Sequence, residues 1–161
     1  TEIYTLSLHD ALPICKAASD RAAVIKHLTL FNACANIFYD ENDGFWESGT
    51  TSFDAPFKIP QPPAGYTYTY LSDDETIDGV HEAYSFAFFA VPEKYSSDAE
   101  VMYVDEMGGL YTAKLTGKAQ FASAQLLFAS SIDWETEDLS TRCAGTGLKF
   151  SALRQPTAPS T

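Results

Sequence analysis

The chain has 161 residues, 22 acidic against 10 basic, and a formal charge of −12 at pH 7. A field of that sign repels phosphate backbones and anionic headgroups, so nucleic acid is not an expected partner, and no apolar run approaches the ~20 residues a membrane-spanning helix needs. Eleven Phe and nine Tyr favour a β-rich core of aromatic cross-strand pairs.

The opening "TEIYTLSLHDALPIC" offers no initiator Met, no basic leader and no capped first element. Thr1 to Ile14 back-translate to one open frame of the universal adapter ligated to DNA fragments for short-read sequencing, which the segment resembles over its whole length. Cys15 straddles the junction. Ile3, Leu6, Leu8, Leu12 and Ile14 would otherwise read as a weakly amphipathic segment. Residues 1–15 are set aside from fold reasoning as non-native. The parent chain is expected to begin upstream, so the lack of a visible leader or anchor carries no information.

From Ala17 to Tyr39, the residues Val24, Leu28, Phe31, Ala35 and Phe38 recur at four- and three-residue steps, one helical stripe. The spacing predicts a helix of about five turns that buries this face, capped by Ser19 or Asp20 and stopped by "DENDG" at Asp40 to Gly44. His27 falls on the polar side and is expected to be solvated. Asn32 and Asn36 are expected to touch other chains. Gly49, Pro56, Pro60, Pro62 and Pro63 mark 45–64 as a surface excursion.

"YTYTYL" alternates Tyr66, Tyr68 and Tyr70 with Thr67, Thr69 and Leu71, the signature of a strand. "SDDETIDG" follows as an acidic turn. "AYSFAFFAV", Ala83 to Val91, carries Phe on both faces and reads as a central strand ended by Pro92. "VMYV" and "LYTAKL" flank "DEMGG" as a hairpin, which completes four antiparallel strands. "KAQFASAQLLFASS" places Phe121, Ala124 and Phe128 at helical spacing between Gly117 and Asp133. Beyond Trp134 the pattern fades, and "RQPTAPST" reads as a disordered end. The expected fold class is α+β: an N-terminal amphipathic helix packed on a four-stranded antiparallel β-meander, plus a short C-terminal helix. The domain runs over 16–134, with 135–161 a poorly ordered tail.

Chemistry is sparse. Cys34 and Cys143 are either a disulfide of an oxidising compartment or two buried thiols. His27 and His81 read as solvated, and Cys34 has no histidine on its helical face. No Gly-x-Ser-x-Gly elbow, phosphate loop or paired-Cys motif is present, so no catalytic residues and no enzyme activity are expected. "DENDG" departs from a calcium loop, with Gly44 fifth and Thr51 twelfth where Gly must be sixth and Glu twelfth, and so reads as a helix-stop turn. Asp73, Asp74 and Asp78 in the acidic turn are weak calcium candidates against the plainer reading of a solvated charge run. No other cofactor is expected.

Four blocks carry a family likeness. The helix "SDRAAVIKHLTLFNACANIFYDENDGF", the strand "AGYTYTY" and the paired strands "YSFAFFAVPEKY" and "VMYVDEMGGLYTAKLTGKA" resemble the globular part of bacterial type IV pilins and pseudopilins, in the family's order and spacing. The likeness covers about 18–134 and extends to a related uncharacterised family of secreted bacterial proteins. The family's basic leader, processing site and apolar helix are not in this chain. The resemblance implies a non-catalytic structural subunit of a pilus or type II secretion filament, outside the cytoplasm. Its partners would be like subunits or other envelope proteins, and an upstream helix would be its only membrane contact. Some pseudopilins hold calcium in an acidic loop, which bears on Asp73, Asp74 and Asp78. The alternative is a free secreted or envelope-associated ligand-binding domain.

Overall fold

The computed structural model describes residues 8–53 and 59–156, without the side chains of 8–15, 76, 77 and 81. The first seven residues of the adapter-like segment, Pro56 and the final 157–161 of the expected disordered end lie outside the described residues. Among the described residues, no helix is long and apolar enough to cross a membrane.

The first helix, α1, spans Leu8–Asn42 and so begins inside the segment set aside from the sequence, well before Ala17. Its stop falls within "DENDG". Asp43 takes a left-handed φ of 57°, its N–H still reaching the Tyr39 carbonyl at 2.8 Å, and the Asn42 amide donates to the Phe38 carbonyl. Two residues on, the Phe45 N–H bonds the Ala83 carbonyl at 2.7 Å and ties the chain after α1 to the residues just before β4.

The strands follow as β1 (Tyr66–Ser72), β2 (Glu75–Ile77), β3 (Val80–Glu82), β4 (Phe86–Pro92), β5 (Glu100–Asp105) and β6 (Leu110–Lys114). After a short helix, α2 (Lys118–Ala124), the last strand is β7 (Ser151–Arg154). The main sheet has five strands, ordered β1-β4-β5-β6-β7 and antiparallel throughout, where the sequence led us to expect four. The acidic turn is itself a two-stranded hairpin, β2-β3. Asp78 and Gly79 sit at its tip with φ of 52° and 79°, the two left-handed positions of a type I′ turn.

Two core layers sandwich the sheet. On one face lie Val24, Leu28, Phe31 and Ala35 of α1, all fully buried, with Phe38 half-buried. Phe31 stacks on Phe88 with ring centroids 3.8 Å apart and meets Phe86 edge-on. At the N-terminal end of the contact the Arg21 guanidinium pairs with Glu100, whose other oxygen accepts from Thr112 at 2.6 Å. Further along, the Asn32 amide donates to the Asp105 carbonyl at 2.9 Å. Asn32 therefore caps the end of β5. The described side chains before Asp20 are exposed.

The opposite face carries Phe89, Tyr103 and Tyr111, all buried, and residues 118–150 cover it. Over its described part, 135–156, this corrects the reading of a poorly ordered tail. Within it, Leu139–Thr141 and Ala144–Thr146 form 3₁₀ turns, Cys143 and Leu148 are buried, and β7 pairs with β6. Because β4 and β5 are buried on both faces, their sequences read as continuous apolar runs. The helix expected over 118–131 stops at Ala124, and a 3₁₀ turn at Ala129–Ser131 replaces its last part. Phe121 and Leu127 pack inward while Leu126 and Phe128 are exposed.

Cys34 and Cys143 are both free. Of the two readings open from the sequence, the structure shows two buried thiols: Cys34 is on α1, on one side of the sheet, and Cys143 belongs to the layer on the other, so the two are not placed to bridge.

Candidate functional site

The excursion after α1, the edge strand β1 and Phe88 of β4 line a groove of about 530 Å³. Tyr66, Tyr68 and Tyr70 share the α1 face of β1 because side chains alternate along a strand. Tyr70 is buried, its hydroxyl donating to the Trp46 carbonyl at 2.8 Å, while Tyr66 and Tyr68 remain half-buried and form the floor. Phe53 makes one wall, held edge-on by Phe31 at 5.1 Å, Trp46 at 4.9 Å and Tyr70 at 5.5 Å. Ile59, Pro60 and Pro62 form another part of the lining, and Thr67, Gln61 and Glu93 bring polar groups to it.

Tyr68 is fixed from behind. Its hydroxyl lies 2.7 Å from His27 Nδ1, and its ring meets Phe88 at 5.3 Å. His27, expected to be solvated, is thus half-buried and engaged. Burial, with the nearby Lys26 ammonium, holds its pKa below the usual imidazole range, so the ring is neutral at pH 7 and its Nδ1 can accept from the phenol. Burial drives the Tyr68 phenol well above its ordinary pKa. The pair is a positioning device with no charge.

A second cleft, about 520 Å³, lies beyond the end of β1 and includes Asp73, Asp74, Glu75, Asp133 and Trp134. The calcium candidates do not gather here as ligands. Asp73 Oδ1 accepts from the Tyr84 and Ser85 N–H groups at 2.8 and 2.9 Å, tying the hairpin to β4, while Asp78 stands at the exposed hairpin tip. Among the described residues no group of three or more His, Cys, Asp or Glu is placed to hold a metal ion.

The most densely polar cluster is internal. Arg142 is buried and its guanidinium forks onto Glu106, Nη2 to Oε1 at 2.6 Å and Nη1 to Oε2, while Nη1 also reaches the Phe86 carbonyl. Trp134 lies under the guanidinium, 5.6 Å from ring centroid to Cζ. Beside it, Asp105 Oδ1 accepts from the Met107 and Gly109 N–H groups, both at 2.9 Å. Asp105 Oδ2 and the Tyr111 hydroxyl crowd together over Gly109, near enough to influence each other yet without a well-formed hydrogen bond between them. Burial raises the Asp105 pKa, opposed by the Gly109 N–H. Burial likewise pushes the Cys143 thiol up to about 12 and raises Cys34, so neither is a nucleophile at neutral pH.

Neither Cys34 nor Cys143 lines the groove or the second cleft, and the polar cluster is packed inside the fold. The groove residues Phe53, Tyr66, Tyr68 and Glu93 were not singled out from the sequence as a site. The available signal was a strand with three alternating tyrosines following a proline-rich excursion, a face too polar to be entirely core. Compared with protein-family models, with curated proteins and with solved structures, the chain matches none.

Proposed function

We propose that this chain is the globular part of a non-catalytic, pilin-like or pseudopilin-like subunit that assembles outside the bacterial cytoplasm. The observation that carries this reading is the arrangement of α1. Its later turns lie on an antiparallel meander, while the described side chains before Asp20 make no core and leave that part of the helix surface for other contacts. Like subunits, or other envelope proteins, are the partners this reading requires.

A second reading, a free secreted or envelope-associated ligand-binding domain, is favoured by the pre-formed aromatic groove beside β1. Sequencing the source DNA upstream of the Cys15 codon separates the two. A basic leader followed by ~20 apolar residues in frame with α1 supports the subunit. A cleavable signal with a small-residue cut site supports the free domain.

A further inference from the structure

We infer that the groove beside β1 is a binding site for a neutral saccharide, whichever of the two readings of the whole chain holds. Three properties of the site point to this class. Its volume, about 530 Å³, suits a small ligand rather than a macromolecular surface. Its floor and wall, Tyr66, Tyr68 and Phe53, are half-buried aromatic rings that offer apolar contact to the C–H face of a pyranose. Around them stand groups that exchange hydrogen bonds with hydroxyls, namely the Thr67 hydroxyl, the Gln61 amide and the Glu93 carboxylate.

The charge pattern narrows the class further. Among the described lining residues the one charge is that of Glu93, His27 behind Tyr68 is held neutral, and the chain carries a formal charge of −12, all of which disfavours a phosphate or carboxylate ligand. An aliphatic ligand would strip water from Glu93, Gln61 and Thr67 without replacing it. A sugar satisfies both halves of the lining, with hydroxyls donating to the carboxylate and ring hydrogens resting on the tyrosines.

The walls need little ordering on binding. Phe53 is held by three neighbouring rings, Tyr68 by His27 and Phe88, and one Glu93 oxygen already accepts from Thr67 at 3.2 Å. A pre-organised site loses less conformational entropy when filled.

The test is titration of the ¹⁵N-labelled full chain with cellohexaose, chitohexaose and mannohexaose, followed by amide chemical shifts. A proline-rich decapeptide serves as the competing probe. At least one hexaose should move the amides of Tyr66, Thr67, Tyr68 and Glu93 with a Kd of about 1 mM or tighter. Glu93→Gln, on an exposed side chain, and Tyr66→Ala should each weaken that binding by about tenfold, Glu93→Gln without change in Tm. No shift at about 10 mM of any hexaose overturns the proposal. So do shifts unaltered in both variants, or binding of the decapeptide alone. Because the readout is local to the groove, failure here leaves the upstream sequencing result, and the reading it tests, untouched.

Discussion

Arg142 has an effect out of proportion to its single charge. Its side chain is 3% exposed and its partner Glu106 12%, so replacing Arg142 by Ala strands a carboxylate in a nearly dry site. A cost of about 3–5 kcal/mol is expected, read from the urea midpoint. Arg142→Lys should recover only part of it, since an ammonium cannot reproduce the fork to both Glu106 oxygens. Asp105 makes the opposite demand. Its folded pKa lies above the unfolded value of 3.8, so its contribution is most favourable below that value and is lost as pH rises through the folded pKa. Asn keeps the Oδ1 that receives the Met107 and Gly109 N–H groups but cannot ionise. The stability of wild type relative to Asp105→Asn should therefore fall as pH rises above about 4, as measured by paired urea titrations. Gly109 is fixed by space: a Cβ there would lie 2.5 Å from the Tyr111 hydroxyl and 2.7 Å from Asp105 Oδ2. Gly109→Ala must push these apart, and a lowered Tm is expected.

At the scale of elements, the joint between α1 and β4 rests on one ring. Phe31 is fully buried and touches Phe86, Phe88, Tyr70, Trp46 and Phe53, so Phe31→Ala should cost about 3–5 kcal/mol by chemical denaturation. That stripe was legible because helical periodicity writes its buried face directly into residue spacing. The polar contacts of the same helix were not. Nothing in the spacing of Asn32 says that its amide meets a β5 carbonyl, or that His27 backs a tyrosine from a strand beyond a proline-rich excursion, because those pairings are set by tertiary approach. The β2-β3 hairpin could have been read. "DG" between short strand-like pairs is a type I′ signal, and the surrounding acidic run masked it.

For the whole molecule, the sequence already contained the argument against a floppy tail. Phe on both faces of β4 requires a cover on each side of the sheet, α1 can supply only one, and the remaining chain is the C-terminal part. Its periodicity is faint because it covers the face with isolated anchors, Ile132, Cys143 and Leu148, on short turns rather than with a continuous stripe. A chain ended after Trp134 should lose that layer, bind a hydrophobic dye and unfold without a cooperative transition. The groove was hidden for a related reason, since half-buried tyrosines look like core until the element opposite them is known. The two free thiols, one per layer, turn this sandwich into its own clock. In a Cys15→Ser background, the rate at which each reacts with a thiol reagent under native conditions times the opening that exposes the layer holding it. Both layers rest on β4 and β5, so the two thiols should report one shared opening energy, while Phe31→Ala should quicken both together.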